Sequence, residues 1–231
     1  MSTKEQLKTV VTQTNYNNAD KTTVSNAGQS SDQQGYVPLR QVGGTYMYAS
    51  AIINKKNVFV TPEYMDLLVN GFKLAELKHD VKSLAYVIMP NHFYWVFRLS
   101  EKSDDPASVY GEVKKNVTLE IIKNLVEESK GDDYQYKLLD LFENNEKVSR
   151  SKPRKILWDF KQEAKKYDNV KRYKVWEAKS KLFLLNNEDK LMKNIQYVLD
   201  APVRDRWQFV EKAQDYPYLY VSEEILEKLA A

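Results

Sequence analysis

Residues Leu84–Leu99 read LAYVIMPNHFYWVFRL, and no other stretch constrains the fold as much. Apolar, β-prone residues run into Met89-Pro90-Asn91-His92, and a second aromatic run follows. Two short strands joined by a tight turn are expected, with a histidine at the mouth of the hairpin. The chain has only 2 histidines, His79 and His92, so the position of His92 carries weight.

The order of elements around this hairpin sets the fold class. Gly43-Gly44 precedes Thr45–Ile53 (TYMYASAII), a β-prone run. Thr61-Pro62 is a helix start, with Thr61 as N-cap and proline at the first helical position. Met65, Leu68, Phe72 and Ala75 recur at helical spacing, predicting a helix to about Lys78. Strands are expected over Lys82–Met89 and Phe93–Leu99. Asp105-Pro106 starts a second helix with Val109, Val113, Val117, Ile121 and Leu125 as its apolar stripe. Strand, helix, strand, strand, helix is most of a ferredoxin-like β-α-β-β-α-β antiparallel sheet, an α+β fold. Arg172–Glu177 (RYKVWE) is the best candidate for the fourth strand. Extra C-terminal helices follow: one over Asn187–Asp200, then a tyrosine-rich turn and a short helix over Tyr216–Ala231.

Composition narrows the class. With 231 residues and 42% hydrophobic content, one domain with a proper core is expected. Residues 1–36 are dominated by Ser, Thr, Asn, Gln and Asp and read as a disordered polar tail, because so few apolar groups cannot offset the ordering entropy. The domain then spans 37–231, with 128–150 as a polar insertion holding a short helix around Tyr136–Phe142. No run of about 18 apolar residues occurs, so no membrane span is expected. The chain opens on no secretory signal. The absence of cysteine excludes disulfides and thiolate metal sites, and a cytoplasmic setting is the expectation.

The net charge of +3 says less than its distribution. Lys147–Lys181 carries 13 cations against Asp159, Glu163, Asp168 and Glu177, so the rest of the chain is acidic on balance. Trp158, Phe160, Tyr167, Tyr173 and Trp176 are interleaved. Cations that track phosphates, with aromatics that stack bases, are what single-stranded nucleic acid requires. Lys152, Arg154, Lys155, Lys165, Lys166, Lys171, Arg172, Lys174 and Trp158 are the expected nucleic-acid-binding residues. A solvated helix face with ordinary core aromatics is the plainer alternative, and the charge pattern does not separate DNA from RNA.

Four landmarks in order resemble the bacterial single-tyrosine HUH transposases, most of all their REP-associated branch. They are Tyr46-Met47-Tyr48, Met89-Pro90-Asn91-His92, Val175-Trp176-Glu177 and the segment 196–203 (QYVLDAPV), followed by Asp215-Tyr216-Pro217-Tyr218. The resemblance spans Tyr46 to Tyr220 and implies an HUH-endonuclease fold. It implies a divalent metal, Mg²⁺ or Mn²⁺, held by two strand histidines and polarising the scissile phosphate of single-stranded or hairpin DNA. It further implies a tyrosine nucleophile that forms a 5′-phosphotyrosine link. His92 matches the first histidine, and Tyr94 stands where the family has the second. The two side chains share a strand face, but a neutral phenol is a poor ligand for these ions. His79 is expected to be a loop residue. No tyrosine follows the tryptophan in Ala178-Lys179-Ser180-Lys181, so the nucleophile candidates are Tyr167, in an expected helix beside several lysines, and Tyr173. Tyr197 is expected to pack in the core.

Three functions follow. The first is a transposase-like protein that binds single-stranded DNA, its strand transfer either degenerate or carried by a displaced tyrosine. The second is an active metal-dependent transposase or nickase. The third is a non-catalytic RNA-binding module in which Tyr94 stacks a base. Monomer and homodimer are both compatible with the sequence.

Overall fold

The computed structural model describes residues 40–131, 142, 148, 150–168, 170, 172–204 and 207–230. The expected polar tail lies outside them, as does the expected helix of the 128–150 segment apart from Phe142. That ring is fully buried, its centroid 4.8 Å from that of Phe209.

Strand β1 (Thr45–Ala51) leads through a single 3₁₀ turn to helix α1 (Pro62–His79). The hairpin follows as β2 (Lys82–Met89) and β3 (His92–Arg98). Helices α2 (Pro106–Glu128) and α3 (Pro153–Ala164) precede β4 (Lys181–Leu184). Helix α4 (Glu188–Asp200), β5 (Leu219–Val221) and α5 (Glu223–Ala230) close the fold. The sheet order is β4-β1-β3-β2-β5, antiparallel throughout. Its first four strands have the ferredoxin-like order, and β5 extends the β2 edge.

The helix starts are legible in their chemistry. Pro62 and Pro106 fill the first turns of α1 and α2, where their missing N–H costs nothing. The Asp105 carboxylate accepts from the Ala107 N–H at 3.1 Å, and Asn187 Oδ1 accepts from the Lys190 N–H at 2.8 Å. Thr61 holds the N-cap position of α1 in extended conformation, yet its side chain makes no capping bond. Helix α1 lies on α2 at Gly71, where a Cβ would come 3.1 Å from Val117 Cγ2 and 3.2 Å from Val113 Cγ1. The small residue lets the two helix backbones approach.

Strand alternation divides the sheet into two faces. Phe93, Trp95 and Phe97 point beneath α1 and α2, where the Phe72 ring meets Trp95 at 4.7 Å and Phe93 at 5.6 Å. The Trp95 indole N–H donates to Ser83 Oγ at 2.9 Å, so the buried polar edge is satisfied. His92 and Tyr94 point to the opposite face, over which α4 packs on β2 and β3.

Three expectations are corrected. Arg172–Glu177 is not the fourth strand: only Trp176 bridges to Ile52, and β4 begins at Lys181. The Trp176 indole instead turns toward α2, donating to Thr118 Oγ1 at 2.7 Å and anchoring this segment across the end of β1. Tyr167 is not helical. Helix α3 ends at Ala164, and the Lys166 and Tyr167 amides bond back three residues to Glu163 and Ala164, which tightens the chain into a turn. The segment after Tyr216 contains a strand: β5 pairs Leu219, Tyr220 and Val221 with Val87, Tyr86 and Ala85. The Tyr216 hydroxyl donates to the buried Ile88 carbonyl at 2.8 Å and fixes the entry to that strand.

Candidate nucleic-acid interface

The open face of the sheet holds a cleft of about 450 Å³. Its floor is Met47, Ala49 and Ala51 of β1 with His92 and Tyr94 of β3. Lys55, Lys179 and Lys181 stand around it, with Phe183, Asn194 and Tyr197. Antiparallel pairing sets this arrangement, because Ala51 faces His92, Ala49 faces both Tyr94 and Lys181, and Met47 faces Phe183. Small side chains on β1 leave the room that the cleft occupies.

Asn91 orients the histidine. Its amide nitrogen donates to the Lys55 carbonyl and to Asn57 Oδ1, both at 3.1 Å. Asn91 Oδ1, 2.8 Å from His92 Nδ1, is therefore an acceptor, and the ring must donate from Nδ1. Nε2 then carries the lone pair of the neutral imidazole. The same amide holds the turn at Asn54 and Lys55, which both lie in the left-handed region at φ 52° and 51°. The Asn54 N–H donates to Glu177 Oε1 at 2.8 Å, which secures the turn from its far side.

Tyr94 and Tyr197 form the other wall. The rings of His92 and Tyr94 meet edge-on at 5.1 Å, confirming that both share a face. The Tyr94 and Tyr197 hydroxyls are 3.1 Å apart, and the Arg204 guanidinium lies 4.1 Å from the Tyr197 ring centre. Tyr197 is 39% exposed, so the expectation that it packs in the core is corrected: it faces the cleft from α4.

The cleft does not suit a divalent metal. Among the described residues its lining offers one imidazole, two amides, two phenols and the Ser50 hydroxyl, with three ammonium groups and no carboxylate. Among the described residues, no cluster of three or more His, Asp or Glu side chains is placed to hold a metal ion. His79 contributes nothing here: it ends α1, with Nε2 2.6 Å from Glu112 Oε2.

Tyr167 and Tyr173 do not line the cleft. Lys174 Nζ sits 3.1 Å from the Tyr167 ring centre, and the Arg172 guanidinium is 5.3 Å from that of Tyr173. This patch adjoins the helix side of the sheet. Lys114 of α2, lying against the Tyr48 and Trp176 rings, has its pKa pushed down to about 8 by burial and secondarily by Lys174.

The other expected binding residues divide by element. On α3, Ile156 and Phe160 are buried, whereas Trp158 is 58% exposed with Lys155 Nζ 5.6 Å from its ring. Several of the cations have local partners: Lys155 with Asp159, Lys166 with Glu163, Lys165 with Gln162, and Arg154 with the Ser129 carbonyl. Lys152 holds the N-cap position of α3, and Lys171 lies outside the described residues. Lys55, Asn91 and Phe183 were missed by sequence reasoning. Asn91 stood in the quoted turn, but the link from its side chain to residue 55 is visible only in three dimensions.

No protein-family model and no curated protein matches the chain. Among solved structures, the chain is similar to a REP-associated tyrosine transposase bound to a REP hairpin, with 16% identity, 85% of this chain and 87% of that chain covered, and a TM-score of 0.53. A transposase candidate from Deinococcus radiodurans R1 matches more remotely, with 11% identity, 74% and 97% coverage, and a TM-score of 0.38. No described helix is long and apolar enough to cross a membrane. The five-stranded antiparallel sheet with its helices is an α+β fold shared with the REP-associated transposase structure.

Proposed function

We propose that this chain is a transposase-like protein that binds single-stranded or hairpin DNA in the cytoplasm, with its strand-cutting chemistry degenerate. The observation that carries this reading is the lining of the cleft. One histidine and three lysines gather there beside exposed aromatic rings, with no carboxylate among the described residues of the lining. Such a set attracts a phosphate backbone and stacks bases, but lacks the carboxylates with which Mg²⁺ or Mn²⁺ is normally held. The fold likeness to a transposase bound to a hairpin supports DNA as the ligand class.

Labelled hairpin DNA incubated with the protein and Mn²⁺ tests the reading on paired gels. A shifted band on the native gel, with no label on the protein under denaturing conditions, is the expected result. Efficient cleavage that disappears in His92→Ala would reject the degenerate reading. Stronger competition by RNA than by DNA of equal sequence would favour an RNA-binding module.

One observation favours an active enzyme as the second reading. Tyr197, rather than Tyr167 or Tyr173, brings a phenol into the cleft with His92. In that case the Tyr197 oxygen gives up its proton to solvent and attacks phosphorus, a 5′-phosphotyrosine bond forms as the phosphorus–O3′ bond breaks, and the departing 3′ oxygen takes up a proton. Tyr197→Phe would then abolish a covalent band while leaving the native shift intact.

A further inference from the structure

We propose that the cleft seats one unpaired nucleotide without any bridging divalent cation: its phosphate is held among Lys55, Lys179 and Lys181, and its base lies against Phe183. This rests on the DNA-binding reading above and specifies how that site takes its ligand.

The electrostatics decide between a metal and an anion. Three ammonium groups line one cleft of about 450 Å³, and no acidic side chain among the described residues lines it with them. A divalent cation entering such a space meets net repulsion, and its only nitrogen donor there is His92. A phosphodiester meets attraction from the same three groups. Glu177, which approaches the Asn54–Lys55 turn, has Oε1 engaged by the Asn54 N–H at 2.8 Å.

The backbone presents this charge in a built position. Lys55 lies in the left-handed region at φ 51°, a conformation that a lysine rarely adopts without support. The support comes from Asn91, which bonds the Lys55 carbonyl while its own oxygen accepts from His92. One side chain thus fixes both the histidine and the lysine at the cleft mouth. Local strain of this kind concentrates at ligand sites. Lys181 is fixed independently, by pairing with Ala49 in the sheet.

The aromatic element is Phe183. It is 46% exposed although it sits on β4 opposite buried Met47, and it lines the same cleft as the lysines. A phenyl ring left open beside three cations suits an unstacked base. The volume falls within the ~300–1,000 Å³ usual for small-ligand sites, enough for a nucleotide but not a duplex.

The test uses the full chain and a fluorescent single-stranded DNA with no self-complementarity, titrated in EDTA and again with Mg²⁺ or Mn²⁺. Affinity is expected to agree within about twofold between these conditions, since no ion bridges the phosphate. The triple variant Lys55→Gln, Lys179→Gln and Lys181→Gln is expected to bind at least about tenfold more weakly. Its log-affinity against log-salt slope should be shallower by about 0.7, the value for one phosphate contact on a single strand. Phe183→Ala is expected to cost about 5-fold to 100-fold at constant salt slope. Circular dichroism verifies that each variant is folded.

Loss of binding in EDTA would overturn the proposal. So would saturable Mn²⁺ binding to the DNA-free protein that is lost in His92→Ala. If wild type binds DNA and the folded triple variant binds it equally well, the nucleotide lies elsewhere and this inference fails while the DNA-binding reading stands. If wild type binds the hairpin but not this unpaired strand, this inference alone fails; if it binds neither, both fail.

Discussion

The hydroxyl of Tyr94 on β3 lies 3.1 Å from that of Tyr197 on α4, so the helix and the sheet meet through a phenol pair at the floor of the cleft. Tyr94 and His92 share the strand face, with ring centres 5.1 Å apart. Replacing the phenol by an imidazole therefore puts two nitrogen donors at i and i+2. Tyr94→His is expected to create measurable Mn²⁺ or Ni²⁺ binding where wild type has none. Isothermal titration of wild type and variant decides it. The nearby lysines oppose the ion, so adding Lys179→Gln and Lys181→Gln should tighten the metal further.

Asn91 gives a second prediction. Its side chain is buried and joins the Lys55 carbonyl, Asn57 and His92. Asn91→Ala removes the donor that the Lys55 carbonyl and Asn57 Oδ1 share, through bonds that are only part-buried. A loss of about 1 kcal/mol is expected, because water can reach the partners and only the net worth of the hydrogen bonds is lost. Urea denaturation measures it. DNA affinity should fall as well, since Lys55 loses the bond that holds its turn. Asn91→Asp should not substitute: a carboxylate keeps the acceptor for His92 but cannot donate to the Lys55 carbonyl.

The sequence carried the fold further than it carried the site. Proline and an N-capping residue marked the starts of α1 and α2, and a regular apolar stripe marked the length of each. The hairpin was legible because two apolar, β-prone runs flank the tight Met89-Pro90-Asn91-His92 turn. Strand β4 was missed for a physical reason. It is four residues long and its burial follows from pairing with β1, not from its own composition. Arg172–Glu177 looked more strand-like because its tryptophan is apolar, yet that tryptophan is held by Thr118 of α2. His92 and Tyr94 were readable as a pair because they lie on one strand. Lys55, Phe183 and Tyr197 join them only through sheet pairing and helix packing, so no local spacing announces them. Among 16 tyrosines, nearness in sequence to the lysines brought forward Tyr167 and Tyr173, whereas Tyr94 and Tyr197 are the tyrosines that line the cleft.

A buried ion pair closes the segment between α2 and α3. Arg150 Nη2 donates to Glu128 Oε2 at 2.7 Å, with the arginine side chain 0% and the glutamate side chain 9% exposed. The Arg150 guanidinium also lies 4.5 Å from the Tyr64 ring centre on α1. Glu128→Ala takes this carboxylate away from a buried cation, and a loss of about 3–5 kcal/mol is expected. The double variant Glu128→Leu with Arg150→Met removes both charges and should recover most of that loss. If the single and double variants melt alike in urea, the pair is not the source of the effect.

Helix α5 is tied to the hairpin by charge, and the tie has a definite pH window. Glu224 accepts from Arg98 Nη2 at 2.8 Å and from Lys82 Nζ at 2.7 Å. The Arg98 hydrogen bond, followed by that of Lys82, lowers its pKa to about 2. A carboxylate with a lowered folded pKa stabilises the protein above its unfolded value near ~4.3, and that contribution disappears as pH falls through the folded value. The side chain is 27% exposed, so solvent screening limits the contribution to about 1 kcal/mol. Glu224→Gln should therefore be less stable than wild type at neutral pH by about that amount. The difference should shrink below about pH 4 and close near pH 2, where wild-type Glu224 is itself protonated. Urea melts of both proteins across this range measure the gap, and a gap that stays constant down to pH 2 would show that Glu224 acts by packing, not by charge.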